Sequence, residues 1–210
     1  MMRLLVDLRS GLKRRLMILM AVSTLVLLAA VALAAEETVT LDEYEVSFDL
    51  GNYTGYEIDF EEVPYATVDG KEHPSHVCWI GEGRTMMIAI TDYGVPMEAT
   101  SSLTRRAVVS YLNDAGCANI QTHEVYIDAK PAILGLGGRQ SGRTLVCAIF
   151  WPDIREVNGT LYGQVDCTIA SEASVELTEM LINSVQVKLP GEVDEVPIME
   201  ARSEWDRIEL

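Results

Sequence analysis

The chain has 210 residues, of which 32 are acidic and 16 basic, for a formal net charge of −16 at pH 7. So negative a balance repels phosphate backbones and anionic headgroups, which argues against nucleic-acid or peripheral membrane binding. The four cysteines show no Cys-x-x-Cys spacing, which argues against a zinc ribbon or a dithiol redox site.

The first 35 residues read as an export leader. Arg3, Arg9, Lys13, Arg14 and Arg15 form a basic flank, residues 16–35 carry no charge, and Ala32-Leu33-Ala34 is a small-x-small cleavage site. The apolar run counts 20 residues, longer than most secretory cores and enough to span a bilayer. Two outcomes stay open: cleavage after Ala34, or retention as a single anchor with its basic flank cytoplasmic. Residues 1–35 are therefore the only expected membrane contact, and only if they are uncleaved. The remaining 175 residues hold 11 basic and 31 acidic side chains, a net charge of −20. That length suffices for one domain with its own core. The expected division is a leader at 1–35, an extracytoplasmic domain at 36–189 and an acidic tail at 190–210.

After the leader, Tyr44, Val46, Phe48 and Leu50 alternate with Glu45, Ser47 and Asp49, the pattern of a half-buried strand. Gly51 to Gly55 reads as a turn, and Tyr56, Ile58 and Phe60 resume the alternation. The two segments are expected to pair antiparallel. Asp69-Gly70 marks a further turn. Residues 76–80 and 85–90 read as strands around Gly81-Glu82-Gly83, and the loop 91–96 is expected to end this section. A first helix begins at Ser101 or Ser102 and buries Leu103, Ala107, Val108, Tyr111 and Leu112. Gly116 ends it, and Arg105 and Arg106 face outward.

Residues 125–131 read as a strand entering a turn, and Gly135–Gly142 as a hairpin loop that uses glycine for positive φ. That loop lacks the Gly-Lys-Ser/Thr ending of a phosphate cradle. Residues 143–151 are apolar at both alternating sets of positions, as in a strand covered on both faces. Asn158-Gly159 signals a hairpin back into residues 161–169. Ser171 can cap a helix to about Ile182, with Glu172 in its first turn, and Val185, Val187 and Leu189 alternate as a last strand. Beyond Pro190 the pattern stops in an acidic tail.

Few residues stand out chemically. His73, His76 and Cys78 are three metal-ligating types within six positions, a weak candidate because Pro74 interrupts the spacing. Asn52-Tyr53-Thr54 and Asn158-Gly159-Thr160 are acceptor sequences for N-glycosylation, both in expected turns. Cys78, Cys117, Cys147 and Cys167 permit disulfides in an exported chain. Cys78–Cys117 is the favoured pairing, and four buried thiols are the alternative. No Gly-x-Ser-x-Gly elbow, calcium loop or marked carboxylate pair is present. No catalytic residue and no cofactor is expected.

The segments 125–133, 143–151 and 171–187, where a short helix leads into a closing strand, resemble the PsbP-like fold. The resemblance covers about residues 38–189 and rests on apolar and turn patterns. It implies a non-catalytic exported or accessory protein bound to a larger assembly, with no shared catalytic residues to carry over. The leader and acidic surface also resemble secreted or cell-surface proteins of prokaryotes, archaea included. The expected fold is α+β: an antiparallel β-sheet with two helices packed on one face, preceded by an N-terminal signal or anchor helix. The expected function is a non-enzymatic binding or accessory domain whose partner is a protein or an envelope component. The alternatives are a hydrolase or metal-dependent enzyme with an unmarked site, and a structural component of the envelope.

Overall fold

A computed structural model describes residues 36–66 and 72–191. The leader, the Asp69-Gly70 turn and the tail beyond Gly191 lie outside the described residues. Strands β1 (Glu37–Leu41) and β2 (Tyr44–Phe48) form a hairpin, and β11 (Gln186–Lys188) joins β2 to give a small antiparallel sheet in the order β1-β2-β11. The larger sheet contains β3 (Ile58–Ala66), β4 (Glu72–Ile80), β5 (Met86–Glu98), β6 (Ala118–Ile127), β7 (Lys130–Gly138), β8 (Thr144–Phe150), β9 (Arg155–Val157) and β10 (Thr160–Ser171). Its order is β3-β4-β5-β10-β8-β7-β6, all antiparallel, with β9 added alongside β10. Helix α1 (Ser101–Asp114) links β5 to β6, and α2 (Val175–Ser184) links β10 to β11.

The large sheet is covered on both faces. On one face Cys78, Ile88, Ile169, Cys167, Ala148 and Phe150 pack against Val46 and Phe48 of the small sheet and Leu181 and Ile182 of α2. On the other, Val77, Ala89, Ala170, Cys147 and Ile149 pack against Val108 and Leu112 of α1. The helices therefore lie on opposite faces rather than on one. The both-face apolarity of residues 143–151 has its cause here, because β8 feeds alternate side chains into two separate cores.

Close approach of α1 depends on missing side chains. A Cβ on Gly135 would lie 2.8 Å from Leu112 Cδ1 and also collide with Val108, and one on Gly137 would meet Cys117 Cβ at 2.6 Å. These two glycines are strand residues that let the helix settle on the sheet. The hairpin loop itself is shorter than expected and uses only Gly142 at positive φ. The cap of α1 is Thr100, whose side chain accepts from the Leu103 amide at 3.3 Å, one residue before the expected start. Gly116 ends the helix at φ +76°, as the sequence indicates. Helix α2 starts later than expected. Ser174 caps it, Glu176 occupies its first turn, and Ser171 remains on β10 with its hydroxyl 2.7 Å from that of Thr178. Glu172 precedes the helix and pairs with Arg139 at 2.6 Å.

Three strand expectations change. The segments around Phe48 and Phe60 do not pair with each other: β2 lies between β1 and β11, and β3 pairs with β4. Strand β5 runs through the expected loop to Glu98, following β10 across a bulge at Gly163–Val165. Asp153 receives the two amides this bulge frees, Gln164 at 2.7 Å and Val165 at 3.1 Å. The Asn158-Gly159 turn is present, both residues at positive φ, but it joins β9 to β10 rather than β8 to β10.

Candidate functional site

The first site is a groove where the two sheets end on the same side. Strand β1 is the last of the small sheet and β3 the last of the large one. At one end of this margin the Glu37 carboxylate accepts from the Tyr56 phenol, whose pKa burial and that hydrogen bond push up to about 12. At the other end His76 Nε2 stands 4.0 Å from Asp42 Oδ2. At that second end opens a groove of about 230 Å³ lined by Thr40, Asp42, Phe60, Glu62 and His76, together with Leu41, Glu61 and Val77.

Phe60 is the informative residue. Its register partner is Cys78, which in turn pairs with Ile88, and cross-strand partners point to the same face. Cys78 and Ile88 are fully buried, yet Phe60 is 59% exposed. By register it occupies a core position, and the small sheet stops at β1 without covering it. Glu62 is beside His76 in the same way. Glu61, on the other face, is held by Arg84 at 2.9 Å and by the Trp79 indole at 3.0 Å.

The second site is a buried polar cluster on the α1 face. Tyr93 donates its hydroxyl to Asp166 Oδ2, and both residues are buried. Burial drives the Asp166 carboxyl up to about 6, against the lowering influence of Tyr93, Thr168 and Thr91. Asp166 Oδ1 has no hydrogen-bond donor, because Thr91 directs its hydroxyl to Ser75 at 3.0 Å. Aromatic rings cover the cluster. Tyr93 stacks on Trp151 at 5.5 Å and meets His73 at 5.4 Å. The Trp151 indole donates to Thr104 of α1 at 3.1 Å.

The structure separates the suggested metal ligands. His73 lies against Tyr93 on the α1 face, His76 opens into the groove on the other face, and Cys78 is buried in the core beneath the small sheet. No group of three or more His, Cys, Asp or Glu side chains converges on a metal position among the described residues. The four cysteines are free thiols, which corrects the expected Cys78–Cys117 pairing. The reason is the sheet itself. Cys78 and Cys167 lie in the core under the small sheet, while Cys147 and Cys117 lie in the core under α1. Register also places Cys147 opposite Ala170, three residues from Cys167, so that pair points to opposite faces. Burial raises the Cys78 thiol to about 12 and raises those of Cys147 and Cys167 as well. Asn52 and Asn158 are both exposed in turns, where a glycan has room. Arg106 is exposed, and Arg105 pairs with Glu124 at 2.9 Å.

Sequence reasoning missed both sites. The groove depends on where one sheet ends over another, which no local pattern records. Asp166 did carry a signal: it is the one charged residue in 165–170, a run of a strand buried on both faces in which Thr168 is the other polar side chain. Searches against protein-family profiles, curated proteins and solved structures find no match. The PsbP-like resemblance therefore rests on the sequence pattern.

Proposed function

We propose that this chain is a non-enzymatic binding or accessory domain, carried across the cytoplasmic membrane by residues 1–35 and docking a protein partner at the β1/β3 groove. The observation that carries this reading is Phe60, a core-register aromatic left uncovered beside the groove. Aromatic side chains are enriched at protein interfaces and carry much of their binding energy, and Phe60 sits beside a polar-lined groove. The PsbP-like pattern agrees with an accessory role, and the charge of −20 beyond the leader agrees with life outside the cytoplasm. The residue best tuned for acid–base chemistry, Asp166, is sealed beneath Tyr93 and Trp151, so it serves the fold rather than a substrate.

Position-specific photocrosslinking on intact cells tests the reading. A photoreactive side chain in place of Phe60 should give a discrete adduct. One in place of Tyr126, 68% exposed on the opposite edge strand β6, should not. Equal labelling at both positions, or none at residue 60, would remove the groove as the docking surface.

A further inference from the structure

If the β1/β3 groove is the docking surface, its lining also specifies the chemistry of the partner, and the inference rests on that reading. The small sheet ends at β1 above the margin of the large sheet, and among the described residues β1 has a strand neighbour on one side only. An edge strand presents a row of backbone donors and acceptors to any extended segment laid beside it. Here that edge borders a recess whose floor is Phe60, an apolar surface of the kind a core residue of an added strand would cover. The acidic groups of the lining are Asp42, Glu61 and Glu62, of which Glu61 is engaged by Arg84 together with Asp59. Of the cation-capable side chains among the described residues, only His76 reaches into the groove lining.

We infer that an extended, lysine- or arginine-bearing segment of a partner protein adds to β1 as a fourth strand of the small sheet, seating one apolar side chain on Phe60 and its cations against Asp42 and Glu62. Backbone pairing supplies the register. Alternation in the added strand then supplies the selectivity: residues two apart share its inner face, so the one on Phe60 must be apolar and its neighbours two positions away, toward Glu62, positive. A negatively charged strand would bring like charges together against Asp42 and Glu62 and is rejected.

The test uses the full chain and an octapeptide of the repeat Val-Val-Lys-Lys, each face of which alternates valine and lysine, with backbone hydrogen exchange as the readout. Added in excess, the peptide should slow exchange in β1 and leave β6 unchanged. The same peptide with glutamate in place of lysine should protect neither strand. Asp42→Lys together with Glu62→Lys should weaken the lysine peptide about ten-fold, as two exposed ion pairs of about two- to five-fold each imply. Phe60→Ser should weaken it as well. All these positions are solvent-facing, so an unchanged thermal midpoint verifies the fold of each variant. Equal protection by both peptides, protection confined to β6, or indifference to the charge reversal would overturn the inference. If a partner crosslinks from position 60 while the lysine peptide leaves β1 exchange unchanged, the cationic strand is wrong and the docking surface stands.

Discussion

Asp166→Asn separates the electrostatic burden of the buried carboxyl from its packing. In the fold this group titrates at about 6, against an ordinary value of 3.8. A carboxyl whose pKa is raised on folding binds more protons in the native state between those two values. The stability its neutral form confers is therefore complete below about 4 and is lost as pH rises through 6. The difference corresponds to about 3 kcal/mol at pH 7. Asparagine has nearly the same shape, can accept from Tyr93 through its carbonyl oxygen, and carries no charge. It mimics the protonated acid, and the variant should match the parent near pH 4 and exceed its stability by about 3 kcal/mol at pH 8. Urea unfolding of both proteins at several pH values measures this. Other carboxylates titrate over the same range, so the quantity to follow is the difference between variant and parent. A difference that stays constant from pH 4 to pH 8 would refute the reasoning and mean that Asp166 is solvated well enough to ionise freely.

Tyr93→Phe should act in the opposite direction. It removes the donor at Asp166 Oδ2 and leaves the buried carboxylate with Thr168 and Thr91 as its remaining polar neighbours, so it should lose about 1–3 kcal/mol at pH 8 and less at pH 4, read from the same titrations. Gly135→Ala should lose about 1–3 kcal/mol of stability, because its methyl group enters the space of Leu112 and Val108; the urea midpoint reports it, and when it is combined with Leu112→Ala the total loss should be less than the sum of the two separate losses. Thiol labelling under native conditions should modify Cys117 first, since it is only partly buried, while Cys78, Cys147 and Cys167 react at the rate of global unfolding. Labelling of all four at similar rates would contradict the two-core packing.

Local features of this chain were legible because they depend only on neighbours in sequence. Alternation at Tyr44, Val46 and Phe48 marks β2, and the doubly apolar 143–151 marks β8. The stripe from Leu103 to Leu112 marks α1, and Gly116 and Asn158-Gly159 mark its end and a hairpin turn. Alternation states which side of a strand is buried and is silent on what buries it. That is why β2 could be assigned correctly as a strand and incorrectly as the partner of β3. The two faces of β8 did contain the missing fact: a strand buried on both sides needs cover on both sides, and two helices stacked on one face leave the other bare.

The amino-acid order by itself determined the charge, the leader-like start and the type of several elements, β2, β8, β10 and both helices among them, because these follow from composition and from periods of two and 3.6 residues. Only the tertiary structure decided the rest. It divided eleven strands into two sheets among the described residues, put the helices on opposite faces, separated the cysteines, buried Asp166 and left Phe60 uncovered. Each of these is set by contacts between residues far apart in the chain, where the deciding quantity is which surfaces remain to be covered once every other surface has found its neighbour.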